Sequence, residues 1–292
     1  MKIGYACINL SLPCISSKTF RLKSFSKERF LKESKNNLDC LMDILEWNKK
    51  NEILFFRITS ELIPFASHPI CNVKWQNIFK KDFRAIGDYI KTNKMRISMH
   101  PGHFTIINSP RQEVVDKSIK DLEYHNDVMD ILKLDDSNKM QIHVGGVYGD
   151  KEESKKRFIE NYNKLSLRLK KRLVLENDDK YFSCRDCLEI SNKTGVPILF
   201  DVFHHHLLNN GESDEKMALL ASKTWRKKDG ILMVDFSSQA KGKRIGAHSY
   251  YINEKSFTNF LNETKCVKKD IMIESKGKEK SVLKLKKFYE KK

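Results

Sequence analysis

The stretch 196-VPILFDVFHHH-206 carries the pattern on which the reading of the fold turns. Five residues with strand character run without polar alternation and close on Asp201, and His204 follows on the turn leaving the same strand. An uninterrupted apolar run of this length describes a strand covered on both faces, the habit of parallel sheets. Its polar terminus is a pair of metal-ligand residue types.

The same grammar recurs along the chain. RISM is followed by His100, MQI by His143, LVL by Glu176, LMV by Asp235 and IMI by Glu274. Strands are expected at 3–7, 53–57, 96–99, 140–143, 173–175, 196–200, 231–234 and 271–273. Helical spacing fills most of the intervals, at 28–49, 113–134, 151–170 and 214–222, with a further helix near 254–261. The first of these puts Leu31, Leu38, Leu41, Met42 and Leu45 on one face. About eight strand–helix units favour a single closed (β/α)8 TIM barrel, an α/β fold, over an open doubly wound sheet. The barrel is expected over residues 1–275, with a basic C-terminal helix and tail over 276–292. No G-x-G-x-x-G or Walker A motif opens a helix, which argues against nucleotide-binding α/β folds.

In a parallel barrel the residues that end the strands all open on one face, where barrel active sites lie. A lone Asp or His at a strand end is more often a helix cap or a turn residue. Six in one register are different, because Glu176, Asp201, Asp235 and Glu274 could not be packed together cheaply without a cation. Imidazole and carboxylate ligands without thiolate suit Mn²⁺, Zn²⁺ or Fe²⁺, and the surplus of ligands suggests two or three ions. His68 in PFASHP and His248 in GAHS sit in loops expected on the same face.

Composition adds a partner. The 292 residues include 55 Lys and Arg against 38 Asp and Glu, a net charge of +17. Such an excess favours a polyanion, since neutralising phosphates releases counterions, although a Lys-rich solvated surface would look the same. No apolar run is long enough to span a membrane and the N-terminus lacks a signal-peptide core. A cytoplasmic protein is expected, nucleoid-associated in a prokaryote, with its seven cysteines reduced. Cys184 and Cys187 form a C-x-x-C without a second pair, and read as two thiols on a helix.

The blocks GYACINLSL, FFRITSELIPFASHP, RISMHPGHF, IHVGGVYGDK, LVLENDD, PILFDVFHHH, FSSQ…GAHS and MIESKGKE occur in order from Gly4 to Glu279. Together they resemble the UV-damage endonucleases, TIM-barrel enzymes related to the endonuclease IV class of apurinic-site nucleases. The resemblance implies an enzyme that nicks double-stranded DNA 5′ to cyclobutane pyrimidine dimers, 6-4 photoproducts and often abasic sites. The products would be a 3′-hydroxyl and a 5′-phosphate. It implies up to three divalent ions, typically manganese with zinc or magnesium as alternatives. The implied ligands are His100, His143, Glu176, Asp201, His204, His248 and Glu274, with His68 near the scissile phosphate. Tyr5 and Asn9 match residues of the lesion pocket.

The chain departs from that pattern twice. Relatives often present Gln-Tyr after the HPG turn as probes of the duplex; here the pair is His103 and Phe104. Some relatives carry a carboxylated Lys two positions before a His ligand, positions held here by Met233 and Asp235. Asp235 can still coordinate a hard cation, whereas Met233 cannot replace the carboxylated lysine.

Glu176 is expected to bridge ions and serve catalysis, and Lys241, Lys243 and Arg244 to hold DNA phosphates, as Lys18, Arg21 and Lys23 could beside Phe20 and Phe25. A monomer is expected. The rival enzyme is a metal-dependent sugar isomerase or epimerase on the same barrel, for which the basic excess and the HPGHF turn would have no use. A third possibility is a DNA-binding module without chemistry, against which the intact ligand set argues.

Overall fold

Eight parallel strands close on themselves in sequence order, β1 (Ile3–Ala6), β2 (Phe55–Ile58), β3 (Arg96–Met99), β4 (Lys139–His143), β5 (Leu173–Glu176), β6 (Ile198–Asp201), β7 (Leu232–Phe236) and β8 (Lys269–Ile273). The structure is a computed structural model, and it describes residues 1–290. Strand β8 pairs back onto β1 with Tyr5 opposite Ile273, so the sheet has no free edge. Around the barrel run α1 (Lys27–Lys50), α2 (Trp75–Ile78), α3 (Lys80–Thr92), α4 (Gln112–Ile131), α5 (Lys151–Lys164) and α6 (Leu167–Lys170). The layer is completed by α7 (Cys184–Thr194), α8 (Val202–Leu207), α9 (Asp214–Lys223), α10 (Glu254–Glu263) and α11 (Lys278–Glu290). The (β/α)8 barrel expected from the strand grammar is therefore present.

Alternation along each strand divides the side chains between two cores. Ala6, Phe55, Val174, Leu199, Met233 and Met272 form an apolar layer inside the barrel. The residues between them, Tyr5, Phe56, Ile97, Ile142, Leu175, Phe200, Val234 and Ile271, face outward into the core shared with the helices. Below the inner layer, Arg96 pairs with Asp270 at 3.0 Å and Lys139 with Asp229 at 2.6 Å, closing the N-terminal end with matched charges. Gly4 is needed where β1 meets β2, because a Cβ there would lie 2.1 Å from the Phe55 carbonyl oxygen.

Four expectations need correction. The helix expected over 151–170 breaks into two: Leu165 and Ser166 are extended, and the Ser166 hydroxyl caps α6 by accepting from the Leu169 amide at 3.3 Å. Strands β5 to β7 run further than expected, so Glu176, Asp201 and Asp235 lie within strands rather than after them. The thiols are not all free: Cys14 and Cys40 are disulfide-bonded, tying the loop after β1 to α1 with Cα atoms 5.7 Å apart. Sequence spacing could not show this, because the partners come from a loop and a helix brought together only by the fold. His204 is not on a turn but in the first turn of α8. Cys184 and Cys187 are buried on α7, as a helix carrying two thiols requires. The basic C-terminal segment forms α11, with Val282 and Leu285 in the core, while Lys291 and Lys292 lie outside the described residues.

Candidate metal centre

The inward register that builds the apolar layer also delivers the polar layer above it. On β5 to β8, Glu176, Asp201, Asp235 and Glu274 each follow an inward apolar residue by two positions. Neighbouring strands align them: His143 is opposite Glu176, and Asp201 opposite Asp235. His100 follows the last residue of β3, His204 is reached through α8, and His248 returns on a hairpin bridged to Gln239.

Three overlapping groups result, His100–His143–Glu176, Glu176–Asp201–His204 and Asp201–Asp235–Glu274, each with ligand atoms within 4.8 Å of one another. Glu176 stands between the first two. Its Oε1 lies 3.8 Å from His143 Nε2 and 3.7 Å from His204 Nδ1, and its Oε2 lies 3.8 Å from His100 Nε2. His248 Nδ1 lies 3.9 Å from Glu274 Oε2. These gaps are too wide for hydrogen bonds, and suit ligands each about 2.1 Å from a shared cation.

Each carboxylate spends one oxygen on a protein donor. Asp201 Oδ1 accepts from the His204 amide at 2.8 Å, capping α8. Gln141 Nε2 donates to Glu176 Oε2 and to Asp235 Oδ2, both at 2.7 Å. Arg57 donates to Asp235 Oδ2 at 2.6 Å and, through its other terminal nitrogen, to Glu274 Oε1. The remaining oxygens, Asp201 Oδ2 and Asp235 Oδ1, are buried without a partner, as is His143 Nδ1. Orphaned buried acceptors are costly, and a group of them facing one space fits a bound cation.

The charges agree. Burial, then the neighbouring carboxylates Glu176 and Glu274, push Asp201 up to about 7, and burial holds Asp235 well above the carboxylate range despite Arg57. Burial pushes His100 down to about 3. For His204 burial also acts downward, but Asp201, Glu176 and Glu274 outweigh it and raise the ring to about 10. Burial opposes ionisation of Glu274 too, yet Arg57 and His248 hold it below its ordinary value. Crowded carboxylates that are held protonated, and a histidine that is held charged beside them, are what a donor set shows when it fits divalent ions.

A cleft of about 780 Å³ leads to this centre, lined by Arg57, His100, Arg244, His248, Glu274 and Lys278 among others. Lys276 and Lys278 at its wall were missed in the sequence, although they immediately follow the Glu274 strand end. Arg57 and Gln141 were missed as well, because a polar residue inside FFRI or MQI looks like an interruption of an apolar strand. Their signal was parity: Gln141 is two residues before His143, on the same inward face.

Not every expected residue joins the site. Tyr5 and Asn9 are buried, with Asn9 donating to the Tyr5 hydroxyl at 2.8 Å and that hydroxyl donating to Asn48 on α1 at 2.7 Å. Tyr5 lies on the outward face of β1 and packs on Phe56, so the pair sits in the outer core rather than on an open lesion pocket. His68 is exposed on the loop after β2, where its Nδ1 accepts from the Ile70 amide at 3.1 Å, and it lines a separate recess with Trp75 and Tyr124. Phe20 is buried and Phe25 partly so, both packing on Phe65, which leaves Lys18, Arg21 and Lys23 exposed without an aromatic face beside them. His103 and Phe104 are exposed on the loop after β3, with Phe104 69% accessible. Lys241, Lys243 and Arg244 are exposed on the hairpin that ends at His248. Met233 is in the apolar layer beneath Asp235.

Fold and site together define a (β/α)8 barrel with a His–carboxylate cluster, able to hold metal ions, at the C-terminal ends of its strands. The chain belongs to the family described as UV-endonuclease UvdE, whose model matches residues 1–291. A relative from Clostridium perfringens, named UV DNA damage endonuclease, is 46% identical over 286 residues, covering 97% of this chain and 69% of its own length. One of the same name from Bacillus thuringiensis subsp. konkukian is 35% identical over 294 residues, covering 97% and 92%. The solved structure titled "Crystal Structure of SacUVDE" superposes with a TM-score of 0.95 at 49% identity, over 100% of this chain and 98% of that one. D-Psicose 3-epimerase from Clostridium cellulolyticum H10 superposes with a TM-score of 0.53 at 12% identity, over 79% and 78%, a likeness of fold alone.

Proposed function

We propose that the protein is a metal-dependent DNA repair endonuclease that nicks the backbone 5′ to UV photoproducts, leaving a 3′-hydroxyl and a 5′-phosphate. Cyclobutane dimers and 6-4 photoproducts are its substrates in this reading, with abasic sites as a further one. The observation that carries it is the half-satisfied carboxylate cluster at the floor of a cleft walled by Arg244, Lys276 and Lys278. A small neutral sugar would have no use for that wall, and the family resemblance points to damaged DNA.

His100, His143, Glu176, Asp201, His204, Asp235, His248 and Glu274 would hold the ions, with Mn²⁺ the expected species and Zn²⁺ or Mg²⁺ as alternatives. Divalent ions bound there would supply an activated water, neutralise phosphate oxygens and stabilise the departing 3′-oxygen. The chain does the rest. Arg244, Lys276 and Lys278 seat the phosphates at the cleft, and Lys241 and Lys243 extend the contact along the hairpin. Phe104 offers an aromatic face to fill the gap left by extruded bases, and His103 a polar tip beside it. A photodimer stacks poorly, so its extrusion costs less than that of intact bases. His68, exposed on the loop after β2, would act near the scissile phosphate, as the family resemblance implies.

The test is nicking of UV-irradiated against unirradiated supercoiled plasmid, with Mn²⁺ and with chelator. Nicking confined to the irradiated plasmid with metal is expected, and the nick should prime a DNA polymerase. Equal nicking of both plasmids would overturn damage specificity.

A further inference from the structure

A continuous relay of side chains crosses the barrel beneath the cluster. Glu274 on the exit of β8, Arg57 on β2, Asp235 on β7, Gln141 on β4 and Glu176 on β5 are joined end to end by donors from only two residues. Neither donor belongs to the proposed ligand set. Gln141 is fully buried and Arg57 nearly so, and both face inward, Gln141 between Lys139, which pairs with Asp229, and His143, and Arg57 above Phe55.

The consequence is a choice of oxygen at each carboxylate. Gln141 occupies Glu176 Oε2 and leaves Oε1, the atom between His143 and His204. Arg57 and Gln141 both occupy Asp235 Oδ2 and leave Oδ1 without a partner. Arg57 occupies Glu274 Oε1 and leaves Oε2, the atom nearest His248. Without these donors each carboxylate could rotate either oxygen inward or turn to pair with its neighbour's histidine.

We infer that Gln141 and Arg57 are positioning residues of the metal centre, which select the ligating oxygen of Glu176, Asp235 and Glu274 and hold it before any ion arrives. The inference rests on the metal-dependent reading above and deepens it. Gln141 is the sharper probe, since its amide donates one hydrogen to each of two carboxylates on strands that are not neighbours. Loss of such outer partners weakens metal binding by about 10–100-fold in other centres.

The experiment is Mn²⁺ binding to the purified chain by calorimetry, with bound metal counted by elemental analysis and folding followed by circular dichroism. Gln141→Glu is nearly isosteric; ionised it donates to neither carboxylate, and protonated it can donate to only one of the two. As a spacer or extra anion it would bind Mn²⁺ as tightly as the wild type or more so. As the structure assigns it, affinity falls by about 10-fold or more. Should that variant misfold, Gln141→Met keeps the volume without donors or charge and is expected to show the same fall. Arg57→Lys, which retains charge but not the forked geometry, should lose part of the affinity. Unchanged or tighter binding in a folded Gln141 variant overturns the inference alone. A wild-type chain that binds no Mn²⁺ overturns the metal reading itself.

Discussion

Asp201 does two jobs with one carboxylate. Oδ1 caps α8 through the His204 amide, and Oδ2 is buried without a hydrogen bond, 3.5 Å from His204 Nδ1. Asparagine caps helices as well as aspartate does, so Asp201→Asn should keep the melting temperature of the metal-free protein while weakening Mn²⁺ binding and nicking. Asp201→Ala should lose about 1 kcal/mol of stability in addition, measurable by urea unfolding. Glu176 stands between two ligand groups, and Glu176→Gln should lower nicking by more than about 100-fold, beyond what an outer partner costs, with binding to damaged DNA retained. Loss of both together would point to a folding defect. The clustering of these carboxylates was legible because each ends an apolar run. Tyr5 and Asn9 were named from residue types that the resemblance carries, which do not report the outward face of β1 on which Tyr5 lies.

At the level of elements, the strand ends were easier to read than the connections. β-strand grammar survives in short runs, whereas the break at Leu165–Ser166 depends on a single hydroxyl choosing to cap α6. A similar local device anchors β5. Arg172 donates to the carbonyls of Leu134 at 2.6 Å and Asp135 at 2.5 Å in the connection from α4 to β4, and reaches Asp130 at 3.1 Å. Removing it strands buried carbonyls, so Arg172→Ala should destabilise the fold by about 2–4 kcal/mol in denaturant unfolding. Part of that loss is pH-dependent. Burial acts against ionisation of Asp130, but Arg168 and Arg172 outweigh it and lower its value in the folded state. That contribution is present above the unfolded carboxylate value near 3.9 and disappears as pH falls through the lower folded value. The difference between the variant and the wild type should therefore narrow below about pH 4.

Over the whole molecule, stability and function compete at the barrel mouth. The N-terminal end is closed by matched pairs, Arg96 with Asp270 and Lys139 with Asp229, while the C-terminal end crowds four carboxylates around Arg57. A cation that binds only the folded chain stabilises it by mass action, about 2.7 kcal/mol at a hundredfold excess over the dissociation constant. Chelation should thus lower the melting temperature, and Mn²⁺ should restore it in a concentration-dependent way; a melting temperature indifferent to both would count against a centre of this design. The net charge of +17 suited a polyanionic partner and a Lys-rich solvated surface alike, and the wall formed by Arg244, Lys276 and Lys278 required the closed barrel to bring distant loops together.

The hairpin from Gln239 to His248 joins two of the proposed roles in one hydrogen-bonded arm. The Gln239 side chain donates to the Arg244 carbonyl at 2.9 Å and accepts from the Gly246 amide at 2.9 Å, and Ala240 and Ala247 pair through their backbones at 2.7 Å. One end of the arm presents Lys241, Lys243 and Arg244 to solvent; the other sets His248 beside Glu274. In the metal-dependent reading, an arm braced between its ends makes the two binding events partners in a thermodynamic cycle. Whatever factor Mn²⁺ adds to the affinity for damaged DNA, the DNA must add to the affinity for Mn²⁺. Cutting the brace with Gln239→Ala should bring that shared factor toward one, leaving an enzyme in which metal and substrate no longer register each other's presence.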